Sequence, residues 1–182
     1  MLAQILNLDR QIFIYINHLP HTPLFNDIFL FFSLVGVYGV IWIILSFILF
    51  ITDKIKNQKE ILTLLLSIFM ELFVVELLMK NYFARVRPEY VFKNIIKVLS
   101  ISSTYSFPSS HAALGFASAY VLAANRRKYQ LLFYGLATLI AFSRIYLGKH
   151  YPSDVLTGAV IGVVTGWVSV KITKSIKMKE YF

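Results

Sequence analysis

Cysteine is absent from the 182-residue chain, which excludes disulfides, thiolate nucleophiles and cysteine-ligated zinc. Charge is scarce: Asp, Glu, Lys and Arg make up 15% of the sequence, against roughly 25% in soluble domains. Acidic residues are scarcest, with 9 Asp and Glu against 18 Lys and Arg and a formal net charge of +9. No Gly/Ser- or Pro-rich linker, low-complexity tract or internal repeat divides the chain, so one domain over residues 1–182 is expected. The first twenty residues carry Asp9 and Arg10 inside an apolar stretch and lack a small-residue cleavage site, so they do not read as a signal peptide.

What fills the chain instead is hydrophobic residue, 58% of the total, with 16% aromatic. The solvent such a composition suits is a bilayer. Ile28 to Thr52 contains no Asp, Glu, Lys or Arg and exceeds the ~20 helical residues that cross a hydrocarbon layer. Ile61 to Met79 reads as a second span, interrupted by Glu71 and Glu76; Ser110 to Asn125, Tyr129 to Leu147 and Pro152 to Thr173 give three more. The expected fold is all-α: a polytopic membrane bundle of about five transmembrane helices over residues 25–182. It is preceded by an amphipathic helix within 1–24 lying in the interface, where Leu2, Ile5, Leu6, Ile12, Phe13 and Ile16 recur at helical spacing. A similar interfacial helix is read at VFKNIIKVL, 91 to 99.

The positive charge comes in short clusters between apolar runs, which is a topology signal and a contact for anionic lipid rather than a nucleic-acid surface. One side of the membrane receives Lys54, Lys56, Lys59, Arg126, Arg127, Lys128, Lys171, Lys174, Lys177 and Lys179. The other receives Arg10, Lys80, Arg85, Arg87, Lys93, Lys97, Arg144 and Lys149. With Lys80, Arg87 and Arg144 set aside for chemistry, the first side is the more basic and should be cytoplasmic.

Three segments then share the outward side: KNYFARVRP (80 to 88), SFPSSH (106 to 111) and SRIYLGKHYPSD (143 to 154). Lys80, Arg87 and Arg144 would crowd three cations into a site partly withdrawn from water, which is unfavourable unless an anion with several oxygens binds there. Guanidinium forks match phosphate oxygens. Pro108 followed by Ser109, Ser110 and His111 reads as a helix start with a Ser cap and free backbone N–H groups, a further phosphate contact. His111 and His150 supply a nucleophile toward phosphorus and a proton donor, and Asp154, in the first turn of a helix opened by Pro152, can reach back to His150. Glu76, four residues before Lys80, reads as its structural partner. Arg85, Lys93, Lys97 and Lys149 read as headgroup or solvated charges, His18 and His21 as structural, and the Gly158, Gly162 and Gly166 series as a close helix contact.

At these residues the chain resembles a family. Lys80, Arg87 and Pro88 fit KxxxxxxRP; Pro108, Ser109 and His111 fit three positions of PSGH; Ser143, Arg144, His150 and Asp154 fit SRxxxxxHxxxD. The pattern is similar to that of the phosphatidic acid phosphatase type 2 superfamily of integral-membrane lipid phosphatases. The resemblance implies a phosphatase without metal or cofactor, acting through a phosphohistidine, with His150 as nucleophile, Asp154 orienting it and His111 as general acid and then base. It implies that Lys80, Arg87, Ser109, Ser110 and Arg144 hold the phosphate, Ser110 standing where the family has Gly. The implied substrate is a bilayer lipid, with undecaprenyl pyrophosphate, phosphatidylglycerol phosphate, phosphatidic acid and lipid A 1-phosphate as candidates. The implied location is a bacterial inner membrane, with the site facing the periplasm or cell exterior. A phosphotransferase using the same histidine is the alternative within this chemistry. A transporter is disfavoured because the polar residues gather near one face.

Overall fold

The computed structural model describes residues 2–52, 58–99, 102 and 104–176. Among these the secondary structure is helical throughout: α1 (Leu2–Asn17), α2 (Pro23–Val35), α3 (Val40–Thr52), α4 (Gln58–Glu71), α5 (Lys80–Phe83), α6 (Pro88–Val91), α7 (Ser110–Asn125), α8 (Gln130–Tyr146) and α9 (Pro152–Ser175). A π-helical stretch, Leu72–Met79, joins α4 to α5; Glu71 directly precedes it and Glu76 lies within it. Such stretches recur at functional sites because they redirect side chains within a continuous helix.

The centre of the bundle is α7, packed against α9, α8 and α4. Its sequence explains this place: Ala112, Ala113, Gly115, Ala117, Ser118 and Ala119 are all buried, small enough for three helices to approach one axis. On α9 the glycines at 158, 162 and 166 face α7, where a Cβ on Gly158 or Gly162 would run into the backbone oxygens of Ser109 or Ala113. The larger core residues, Trp42, Leu64, Leu122, Phe133 and Ile140, fill the space around α7. A second cluster of Phe13, Ile95, Ala112, Tyr151 and Val155 joins α1 to α7, α9 and the 88–99 connection. The outer surface is apolar, with Phe31, Phe47, Phe69, Leu131, Leu156 and Val160 exposed. That suits contact with lipid chains.

Three differences from the sequence expectations have physical causes. The run Ile28 to Thr52 is not one straight helix. It is α2, opened early by Pro23 and the Thr22 cap, then α3, with a 57° bend between them. Gly39 at the bend has φ 71°, a left-handed conformation that glycine adopts without penalty. Gly36 before it packs so closely that a Cβ would lie 2.6 Å from Ile140 and 3.2 Å from the His111 ring.

VFKNIIKVL is not helical: α6 ends at Val91, and Phe92 is extended at φ −105°, ψ 127°. Its backbone bonds go instead to Asn17, whose amide accepts from Ile96 N at 2.9 Å and donates to Ile96 O at 3.1 Å. On α1, finally, two polar residues, Asp9 and Asn17, point inward, while Gln4, Asn7, Arg10 and Gln11 are exposed. Asp9, Phe13 and Asn17, spaced four apart, are buried, while Ile5, Leu8, Ile12 and Tyr15 are exposed.

By length and composition the stretches Lys59–Val91 and Pro152–Ser175 are able to cross a membrane, and the bent pair Pro23–Val35 and Val37–Leu49 makes a third. The small-residue α7 and the 17-residue α8 lie against other helices, where less apolar character is needed. Lys54, Lys56, Lys177 and Lys179, on which the charge count also rests, lie outside the described residues.

Candidate active site

One end of the bundle brings together the C-terminus of the α4–α5 unit, the start of α7, the end of α8 and the start of α9. Between them opens a cavity of about 410 Å³. Lys80, Arg87, Ser110, His111, Arg144 and His150 line it together with the apolar Val37, Tyr38, Leu72 and Leu114. Six of the eight residues expected at the site therefore share one cavity, although up to 70 positions separate them in sequence. Ser109 and Asp154 lie behind it.

His150 is buried, and its two nitrogens have different surroundings. Nδ1 donates to the Ser106 carbonyl at 2.7 Å; a carbonyl only accepts, so the proton sits on Nδ1 and the lone pair on Nε2. Arg87 Nη1 donates to Nε2 at 3.2 Å. The remaining Arg87 bonds, to Thr104 O at 2.7 Å, Thr104 Oγ1 at 2.8 Å and Lys149 O at 3.0 Å, fix the guanidinium. Burial, and then the cations of Arg87, Arg144 and Lys80, hold the His150 pKa well below the ordinary histidine value of 6.5, against a smaller opposing effect of the Ser106 carbonyl. A neutral, fixed imidazole with an available lone pair is a competent nucleophile.

Asp154 Oδ2 lies 3.7 Å from His150 Nδ1, beyond a hydrogen bond. That oxygen accepts from the Ser106 hydroxyl and from Tyr151 N at 2.8 Å. The carboxylate and the histidine thus meet through Ser106, which bonds one with its hydroxyl and the other with its carbonyl. Pro152 opens α9 and Asp154 occupies its third position, as the sequence predicts.

His111 Nε2 and Arg144 Nε are buried without a hydrogen-bond partner, and both residues line the cavity. Arg144 Nη1 donates to Ser33 Oγ. Lys80 Nζ is 2.6 Å from Glu76 Oε1, and Ser110 Oγ donates to the same carboxylate oxygen. Glu76 therefore lines the cavity as well as pairing with Lys80. The expected Ser109 cap does not form: Ser109 Oγ has no hydrogen-bond partner, although the residue precedes α7. Its N–H instead donates to Asp154 O at 3.0 Å, which ties the start of α7 to the start of α9.

Lys149 is a correction. Read as a solvated charge, it is 2% exposed and forms a 2.6 Å ion pair with Glu89, because the tight turn at Gly148 (φ 77°) carries it under the 88–99 connection. His18 and His21 do not line the cavity. The His21 ring stacks on Tyr146 at 4.2 Å and contacts Asn26 and the backbone of Asn17. Sequence reasoning missed Ser106, Thr104, Asp9 and the role of Arg85, whose contacts all cross between elements. The one available signal was Asp9, an acid inside an apolar helix.

A family model described as the PAP2 superfamily matches residues 60–177. A lipid A 4'-phosphatase of Bacteroides thetaiotaomicron is 27% identical over 180 residues, 92% of this chain and 78% of that protein. An undecaprenyl-diphosphatase of Sulfolobus acidocaldarius is 30% identical over 143 residues, 77% of this chain and 67% of that protein. Among solved structures, Aquifex aeolicus LpxE is similar with a TM-score of 0.73 at 32% identity, covering 90% of this chain and 95% of that one.

Proposed function

The chain belongs to the PAP2 superfamily of membrane phosphatases, and on that premise we propose that it removes the terminal phosphate of a membrane lipid phosphate or pyrophosphate through a phosphohistidine on His150. The observation that carries this reading is the cavity itself. Three cations, two histidines and the apolar side chains of Val37, Tyr38, Leu72 and Leu114 line the same space, so a phosphate head and an apolar chain both find complementary surface there.

In the proposed reaction the Arg87 Nη1 hydrogen bond shared with His150 Nε2 passes to the arriving phosphate while the remaining bonds keep the guanidinium in place, and Lys80, Arg144 and Ser110 join it. The Nε2 lone pair of His150 attacks phosphorus as the bond to the lipid oxygen breaks, and His111, which enters this step as an imidazolium, delivers its Nε2 proton to that oxygen. Water then attacks the phosphohistidine, His111 takes its proton, and inorganic phosphate leaves with the imidazole neutral again. Asp154 and Ser106 keep the ring aligned through both steps. The cations compensate the charge developing on the phosphoryl oxygens, so the reaction needs neither metal nor cofactor.

The substrate is an envelope lipid: undecaprenyl pyrophosphate, phosphatidylglycerol phosphate, phosphatidic acid or lipid A 1-phosphate. The proposed setting is a bacterial inner membrane, crossed by a single domain of five spans with α2 and α3 as one broken span and α1 at the interface; the charge bias supports a site facing the periplasm or exterior. The test is phosphate release by detergent-purified protein in EDTA across these four lipids. Release from at least one, ranked by kcat/KM, is expected. Dependence on an added divalent ion, or no release from any, would overturn the proposal.

A further inference from the structure

Arg85 does not line the cavity, yet it touches everything behind the nucleophile. The left-handed turn at Ala84 (φ 44°) ends α5 and lets the chain leave the helix axis toward α1 and α9. Arg85 Nη1 then donates to Asp154 Oδ1 at 2.5 Å and to Ser153 Oγ at 2.7 Å. Its Nη2 donates to Asp9 Oδ2 at 2.7 Å, and its guanidinium lies 3.9 Å over the Tyr151 ring. The main chain adds a further tie: Ser106 N donates to Arg85 O at 2.8 Å, and Ser106 is the residue whose carbonyl fixes the His150 tautomer.

Asp9 completes the arrangement from α1. Its Oδ1 accepts from Ser153 N at 2.8 Å and its Oδ2 from Ser153 Oγ at 2.6 Å. Asp9 and Asp154 are 6% and 0% exposed, and one guanidinium serves both. A planar fork does this; an ammonium on a flexible stem does not hold two carboxylates in fixed directions.

We propose that Asp9 and Arg85 are a positioning pair for the histidine reaction: Asp9 fixes the Arg85 fork, and Arg85 aligns Asp154 and Ser106 behind His150. The amphipathic α1 is thereby part of the catalytic apparatus as well as a surface for lipid. The inference rests on the proposed function, since it supposes that His150 is the nucleophile.

The test compares Asp9→Ala, Arg85→Ala, Arg85→Lys and the double alanine variant with wild type. It measures kcat and KM on the lipid that wild type hydrolyses best, normalised to folded protein by thermal unfolding in detergent. Small misplacement of reacting groups lowers turnover by up to about a hundredfold. The expected result is therefore a kcat about tenfold lower for Asp9→Ala and about a hundredfold lower for Arg85→Ala, with KM within about threefold. Arg85→Lys recovers part of the loss, and the double variant is no worse than Arg85→Ala, because the two residues act through one contact. Wild-type kcat in folded Asp9→Ala and Arg85→Ala, or a loss seen in KM alone, overturns the pair while the proposed function stands. An inactive wild type, or an active His150→Ala, overturns both.

Discussion

The proposed reacting residues of this chain are set by what each polar atom finds behind it. His150 meets a carbonyl on one side and a guanidinium on the other, so its protonation and direction are fixed before substrate arrives. Because burial and neighbouring cations hold its pKa well below 6.5, the neutral form persists as pH falls through that value. Activity expressed as kcat/KM, which reports the free enzyme, should therefore not decline on the acid side of 6.5 through His150, once the ionisation of the substrate is corrected. An acid limb centred at 6.5 or above would contradict this environment. His111, His150, Lys80, Arg87 and Arg144 were legible in the sequence because charge in an apolar chain is conspicuous and their spacing forms ordered motifs. Lys149 stands beside the proposed nucleophile and reads the same way, but its burial depends on Glu89, sixty positions earlier, which no local pattern reveals. The contact of Asp154 is similar: four residues' spacing gave its proximity to His150, while the intervening Ser106 belongs to another segment.

At the scale of the elements, periodicity placed α7 and α9 well, and the Gly158, Gly162 and Gly166 series correctly announced their contact. That contact carries a stability prediction. A side chain on Gly162 meets the Ala113 oxygen, with Ala117 N at 2.9 Å, and overpacking of this kind costs about 1–3 kcal/mol. Gly162→Ala should lower the thermal midpoint in detergent measurably, and Gly135→Ala, where nothing lies within 4 Å, should not. Equal midpoints would show that the α7–α9 contact is looser than described. Periodicity failed where tertiary bonds replaced helical ones. The VFKNIIKVL segment has the pattern of an amphipathic helix, but Asn17 takes both backbone bonds of Ile96. On α1 the pattern was right and the orientation incomplete, because Asp9 and Asn17 are polar residues facing polar partners inside the protein. The α2–α3 bend followed from Gly36 and Gly39, whose tight fit against His111 and Ile140 appears only once the helices are packed.

For the whole molecule, the sequence made plain a helical membrane protein with its chemistry gathered at one end, and the cavity beside the start of α7 agrees with that layout. The orientation in the membrane is a matter of charge and has its own check. Single cysteines replacing the exposed Lys93, near the cavity end, and Lys128, at the far end of α7, should differ in intact cells. An impermeant reagent is expected to label Lys93→Cys and to leave Lys128→Cys unmodified until the membrane is permeabilised, and the reverse would invert the topology. A cavity lined by cations, histidines and apolar side chains together suits a lipid phosphate. Its central chemical claim is a covalent bond between phosphorus and one ring nitrogen.

The most direct measurement is to mix purified protein with a hydrolysable lipid phosphate in EDTA, quench under alkaline conditions that preserve phosphohistidine, and map the modified residue by mass spectrometry. The account predicts a phosphoryl group on His150, formed by wild type and absent from His150→Ala, which also releases no phosphate. Phosphate release without any modification of His150, or a phosphoryl group carried by another residue, would contradict it.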